Sequence, residues 1–254
     1  MGIEIQSVQS LFIEMYFNDT RLSSGTGFLV QAPRSLVLIT NRHNVTGRRQ
    51  DDNQPLSDNG GIPNKIRVWR NAAGNTGGWR PFEYSLYDND ENPQWMEHPT
   101  MGSTADFVAL PVDTPFDVVN YPYATSVPEK QLLIRPAETV SVVGFPFGQA
   151  AGGLFGVWVS GFIASEPDVN FNGLPQFLVD CRTRPGQSGS PVIAVRRGSA
   201  TFKNGSTEIG RLNFAELLGI YSGRINDKSD IGIVWKRAAI DELVQSITPL
   251  RKLP

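Results

Sequence analysis

With one cysteine in 254 residues, the chain cannot form an intrachain disulfide, and a disulfide-stapled scaffold is excluded. The absence is consistent with a reducing compartment. The lone thiol, Cys181, reads as a small buried residue. Only two histidines accompany it, and together they offer no ligand cluster of recognised metal spacing, so neither a metal nor another cofactor is expected. Charge of one sign is also lacking. The net charge is −2 with no long like-charged run, which removes the electrostatic footprint of a nucleic-acid binder. No stretch approaches the ~20 apolar residues of a membrane span. The opening MGIEIQSVQSLFIEMYF has neither the basic start nor the continuous apolar core of a signal peptide. Gln6 breaks the myristoylation pattern. A cytoplasmic protein with no membrane or nucleic-acid partner is the expectation, with a secreted chain trimmed of its signal peptide as the alternative.

What the chain does have is punctuation. Its 25 glycines and 18 prolines suit many short strands better than long helices. Short apolar runs recur between turn signals, among them SLFIEMYF, GTGFLV, SLVLIT, KIRVW, FVALPV, TVSVVGF, VWVSGFI, QFLVD, SPVIAV, LLGIYSG and IGIVW. Several alternate or are rich in Val, Ile and Phe, as strands are. No strand–helix alternation that would build a parallel sheet is present. Residues 46–64 are polar and turn-rich and read as a long surface loop. Residues 113–136 carry Pro115, Pro122, Pro128 and Pro136 and read as a connector between halves. One helix is clear: in KRAAIDELVQSI, the spacing of Ala239, Ile240, Leu243, Val244 and Ile247 is helical, and Thr248-Pro249 ends it. The pattern predicts an all-β chain of two β units, about 1–120 and about 130–235, with a closing helix at about 236–247.

The string RPGQSGSPV, residues 184–192, raises the chemical question. Ser188 with glycines on both sides is an ordinary turn composition, and a nucleophile only if it has partners. Histidine is the usual base, because its pKa lies near neutrality. His43, in LITNRHNV, follows a buried strand, where a base can be held rigidly. His98, in WMEHPTMGS, lies in a Pro- and Gly-bearing loop and reads as a surface histidine. A base in turn needs a buried carboxylate to fix its tautomer and stabilise the imidazolium. Asp51, Asp52, Asp88 and Asp90 lie in polar loops, and Asp113 and Asp117 near prolines. Asp106 immediately precedes FVALPV, at the entrance to a strand.

Taken in order, GTGFLV, LITNRHNV, ADFVALPV, VVGFPFG, RPGQSGSPV and LLGIYSG resemble the trypsin-like (chymotrypsin-fold) serine proteases. The likeness is nearest to disulfide-free bacterial members such as glutamyl endopeptidases and heat-shock serine proteases, and spans roughly residues 20–235. It implies two antiparallel six-stranded β-barrels with the site between them, a protein or peptide substrate, and a triad of His43, Asp106 and Ser188. It also implies an oxyanion hole formed by the N–H groups of Gly186 and Ser188, and a hydrogen bond from Ser222 to the triad aspartate.

Gln187 departs from the family pattern. Digestive members carry an aspartate there, paired in the active form with a newly cleaved terminal amine. An uncharged Gln187 cannot make that ion pair, so protein starting at Met1 is expected to reach an active loop unaided. The substrate pocket implied by the resemblance draws on Arg182, Thr183, Tyr221, Gly223 and Arg224. Arg182, Arg184 and Arg224 would favour an acidic side chain by paired hydrogen bonds, although the glutamyl endopeptidases have a histidine where this chain has Tyr221.

Two other functions compete with peptide-bond hydrolysis. A catalytically silent protein could use the same fold to bind a partner, although an intact triad and Gly186 argue against decay. An esterase of the α/β-hydrolase type would need a helix after its nucleophile elbow, and here Pro191 leads into the strand-like VIAV.

Overall fold

The computed structural model describes residues 2–57, 60–226 and 228–247. A short α1 (Gln6–Gln9) leads into β1 (Ser10–Phe17), β2 (Thr20–Gln31) and β3 (Leu36–Thr40). A one-turn α2 (Arg42–Thr46) follows, then β4 (Lys65–Ala72), β5 (Trp79–Ser85), β6 (Val108–Val112) and the two-residue β7 (Val118–Val119). These strands form one antiparallel sheet in the order β5-β4-β1-β2-β3-β6, with β7 attached to β4. All five residues of β3, LVLIT, are buried, as a continuous apolar run predicts for a strand covered on both faces.

The second half comprises β8 (Thr139–Gly144), β9 (Val157–Ile163), β10 (Gln176–Asp180), β11 (Pro191–Thr201), β12 (Thr207–Arg224) and β13 (Ile231–Lys236). They close into a barrel in the order β10-β13-β12-β11-β8-β9. The chain is thus all-β in two curled antiparallel sheets with a C-terminal helix, as the pattern predicts. The first sheet differs in detail from a plain six-stranded barrel, because it gains β7 and its strand order follows an open path.

Each sheet has its own core, around Ile13, Met15, Leu38 and Ile66 in the first and Val142, Val179, Val192 and Phe202 in the second. A third cluster joins them: Phe28, Ile39 and Phe107 from one half meet Ile193 and Trp235 from the other. Helix α3 (Arg237–Ser246) buries Ala239, Ile240, Leu243 and Val244 against this seam. Burial of side chains the size of Ile240, Leu243 and Val244 contributes on the order of 1.5–3 kcal/mol each. Thr248-Pro249, expected to end the helix, lies outside the described residues.

Three segments depart from the expected layout. Residues 196–216 continue β11 and β12 into a long hairpin where only their ends read as strands. The connector contains β7, and Tyr123 bridges to Val30 and Leu132 to Phe202. The polar loop after α2 doubles back through an Arg48–Pro55 bridge, and its Arg49, Gln50, Asp51 and Leu56 form one wall of the cleft described below.

Candidate active site

The apolar run of β3 gives way to Asn41, whose extended backbone starts α2. Gly47 ends the helix at φ 65°, its N–H bonding the His43 carbonyl at 3.0 Å. His43 therefore sits on a one-turn helix just beyond the strand. The Asn41 side chain donates to the Asp106 carbonyl at 2.6 Å and so ties this helix to the segment entering β6. His43 Nδ1 lies 2.7 Å from Asp106 Oδ2, and the His43 backbone N–H donates to Oδ1 at 3.1 Å. Ser222 Oγ donates to Oδ2 from the other half of the molecule. Three donors compensate the burial of a carboxylate that is only 2% exposed. With Nδ1–H committed to Asp106, Nε2 is the ring atom left to accept a proton.

A register shift in the β12–β13 pairing between Tyr221 and Gly223 falls at Ser222. The irregularity re-aims that side chain out of the ladder, which is how a strand serine reaches Asp106.

On the opposite wall, Ser188 lies in a loop built by its backbone. The carbonyls of residues 184 to 188 all accept hydrogen bonds. Arg184 takes the Gln187 N–H at 3.1 Å, Pro185 the Phe147 N–H at 2.6 Å, and Gly186 the Thr26 hydroxyl at 2.9 Å. Gln187 takes the Ser190 N–H at 3.0 Å and Ser188 the Thr26 N–H at 3.0 Å. Asn44 Nδ2 also donates to the Ser188 carbonyl, at 3.3 Å. Among the described residues, the N–H groups of Gly186 and Ser188 have no acceptor. The folded loop thus leaves two donors open in a chain whose backbone groups are normally paired.

Gly186 at φ 93° would place a Cβ 2.4 Å from the Phe145 carbonyl oxygen. At Gly189, φ 88°, a Cβ would fall 2.0 Å from the Thr26 carbonyl oxygen. Both positions require glycine for conformation and for space.

His43, Asp106 and Ser188 line a single cleft of about 840 Å³ between the two sheets. Among the described residues no hydrogen bond joins Ser188 Oγ to His43. Nucleophile–base contacts in unliganded sites commonly tighten only when substrate binds.

The pocket residues divide. Thr183, Tyr221, Gly223 and Arg224 line the cleft. The hydroxyls of Thr183 and Tyr221, both buried, hydrogen-bond each other. Burial pushes the Tyr221 phenol up to about 12, against the opposing hydrogen bond from Thr183, so it stays protonated at neutral pH. Arg182 is corrected: its side chain is 84% exposed, does not line the cleft, and faces Asp230 from 3.9 Å. Its side chain extends into solvent toward Asp230 and away from the cleft lining. Arg184 does line the cleft, but its guanidinium is shared between the Thr183 carbonyl at 2.8 Å and Asp230 at 3.3 Å.

His98 is also corrected. Rather than lying on the surface it is 2% exposed, packed edge-on against Phe107, with Nε2 3.5 Å from Glu242 of α3. Its Nδ1 accepts the N–H groups of Thr100 and Met101, both at 3.3 Å. Burial holds its pKa below the usual histidine value, despite the nearby Glu242 carboxylate. Cys181 is buried as expected, and burial raises its thiol to about 11. Sequence reasoning passed over Thr26, Asn41 and Asn44. For Asn41 and Asn44 the available signal was position, since polar residues directly after a wholly apolar strand seldom lie there unpaired; Thr26, inside β2, carries no such mark.

No group of His, Cys, Asp and Glu among the described residues could hold a metal ion. No helix among them is long and apolar enough to cross a membrane.

A family model described as the trypsin-like peptidase domain matches residues 25–200, well over half of the chain. A search of curated proteins returns no match. Among solved structures, the chain is similar to the active form of the Rv3671c protease from M. tuberculosis, at 16% identity. That likeness covers 98% of this chain and 85% of that one, with a TM-score of 0.53. It is also similar to the serine endoprotease from Yersinia pestis at 16% identity, over 94% of this chain and 64% of that one, with a TM-score of 0.52. Identities at this level speak for a shared fold.

Proposed function

The chain belongs to the trypsin-like peptidase family, and from that premise we propose that it is a serine endopeptidase acting through His43, Asp106 and Ser188. The observation that carries this reading is convergence. Three side chains from separate segments line one cleft, His43 Nδ1 stands 2.7 Å from a buried Asp106, and two unclaimed N–H groups flank the Ser188 loop.

In the proposed reaction Ser188 Oγ attacks the scissile carbonyl while His43 Nε2 takes its proton. Asp106 holds the ring and stabilises the imidazolium. Negative charge growing on the carbonyl oxygen would meet the N–H groups of Gly186 and Ser188, which the folded loop leaves without acceptors among the described residues. His43 then protonates the leaving amine. Water, activated by the same histidine, releases the acyl group from Ser188. No step needs a group beyond these side chains, the backbone and water.

Fluorophosphonate labelling tests the nucleophile. The unaltered protein should be labelled and Ser188→Ala should not; label persisting in the variant refutes the assignment. An unaltered protein that stays unlabelled favours a binding role for the fold. For the substrate, we propose a preference for an acidic side chain before the scissile bond, now supported by Arg184 and Arg224 without Arg182. A peptide-library profile favouring Lys or large apolar residues would rule it out.

A further inference from the structure

Gly186 raises a problem that the triad does not solve. A glycine at φ 93° is needed for the loop to form, yet glycine also lets the neighbouring peptide rotate at little steric cost. Rotation of the Pro185–Gly186 peptide would swing the Pro185 carbonyl outward and turn the Gly186 N–H away from the cleft. Something must hold the donor-presenting form. Gln187 carries no charge, so an ion pair from this residue is not available.

The side chain of Gln187 is wholly buried, and its Oε1 accepts the Arg184 N–H at 2.9 Å. Its own backbone N–H donates to the Arg184 carbonyl at 3.1 Å. Residue 187 thus grips both polar groups of residue 184, one with its backbone and one with its side chain. The two residues that can rotate, Pro185 and Gly186, lie inside that grip. The Phe147 N–H holds the Pro185 carbonyl inward at 2.6 Å, and the Thr26 hydroxyl holds the Gly186 carbonyl at 2.9 Å.

The other end of the Gln187 amide is informative. Nε2 is buried without a hydrogen-bond partner among the described residues, which costs stability. An apolar side chain of the same size would avoid that cost, so the polarity of residue 187 is accounted for by its oxygen, the acceptor for Arg184.

We propose that Gln187 is a positioning residue that clamps residues 184–187 and so keeps the Gly186 and Ser188 N–H groups turned to the cleft. The proposal rests on Ser188 being the nucleophile.

The test compares two near-isosteric variants on one peptide substrate. Gln187→Met keeps the volume and removes the acceptor. Its kcat should fall at least about tenfold while KM stays within about threefold, the signature of a lost transition-state interaction. Gln187→Glu keeps an acceptor oxygen in place. It should keep kcat within about threefold of the unaltered protein, because a glutamate oxygen can still accept the Arg184 N–H. A Gln187→Met variant with kcat within about twofold of the unaltered protein overturns the proposal. If Gln187→Met does not fold, Gln187→Leu takes its place: kcat lost in Gln187→Leu and kept in Gln187→Glu supports the clamp, and equal kcat in the two overturns it. Labelling separates this failure from the more basic one. An unlabelled unaltered protein overturns Ser188 as nucleophile, whereas a labelled, active one with Gln187→Met unimpaired overturns the clamp alone.

Discussion

In the N-terminal sheet the proposed catalytic groups are held mainly by side chains. Asp106 is fixed by an imidazole, an amide N–H and a serine hydroxyl, and His43 stands on a helical turn anchored by Asn41. In the C-terminal barrel the corresponding task falls mainly to backbone, with the Thr26 hydroxyl and the Asn44 and Gln187 amides assisting. Five successive carbonyls accept hydrogen bonds, two glycines adopt positive φ, and the residues of interest are two N–H groups left over. The difference separates what a substitution can remove from what it can only distort. Side-chain scaffolding fails one contact at a time, whereas a backbone loop fails when its conformation becomes inaccessible.

The largest effect should come from the reacting groups themselves. Ser188→Ala or His43→Ala should each lower kcat by at least about 10⁴-fold, and the double variant should be little worse than either alone. Steady-state kinetics checks this; additive losses would show that the two do not act as a unit. Next, Gly186→Ala tests the backbone half. The added Cβ would press on the Phe145 carbonyl from 2.4 Å, so the loop must shift. We expect kcat to fall about 10²–10³-fold, as when an oxyanion donor is lost, with substrate affinity much less affected. An equal loss in KM would place the damage in the pocket instead.

Ser222→Ala tests the side-chain half more gently. Asp106 keeps both of its bonds from His43, so a loss of about tenfold in kcat/KM is expected, equivalent to one charged hydrogen bond. If Ser222→Ala proves as damaging as Gly186→Ala, the contrast between the halves collapses.

The smallest effect is on stability and concerns His98. Burial lowers its pKa in the folded state, while the unfolded chain protonates it at the ordinary value near ~6.5. The unfolded state therefore binds more protons as the pH drops, so this contribution is complete above about pH 6.5 and is lost on acidification through the lowered folded pKa. Glu242 beside Nε2 opposes the shift without reversing it. Between pH 7 and 5 the Tm of the unaltered protein should fall further than that of His98→Gln, as thermal unfolding would show.

The same contrast explains how much was legible in the sequence. His43, Asp106 and Ser188 announce themselves by residue type and by their place beside apolar runs such as LVLIT and FVALPV. The buried stripe of α3 is equally plain. Backbone donors carry no such letter, and Gly186 and Ser188 were assigned as a hole only through the family resemblance. The two histidines show where local reading fails: His98 sits among Pro and Gly like a surface residue, yet long-range packing of Phe107 and α3 buries it. Arg182 differs for the opposite reason: a family position does not say which way a loop side chain points, and this one extends into solvent. The hairpin over residues 196–216 was invisible for a third reason. Much of it stands in solvent, with Ile209 83% exposed, so it lacks the apolar alternation that marks a half-buried strand.

Thr26 has a consequence for timing. It belongs to β2, near the start of the chain, and its N–H and hydroxyl close the loop around Ser188, 162 positions later in the sequence. The C-terminal barrel can satisfy its own strand ladder without that residue, but the loop is complete only once β2 has docked against it. A complete Ser188 loop is therefore a property of the finished molecule: a half-built chain emerging from synthesis would carry the proposed nucleophile without the contacts that shape its loop.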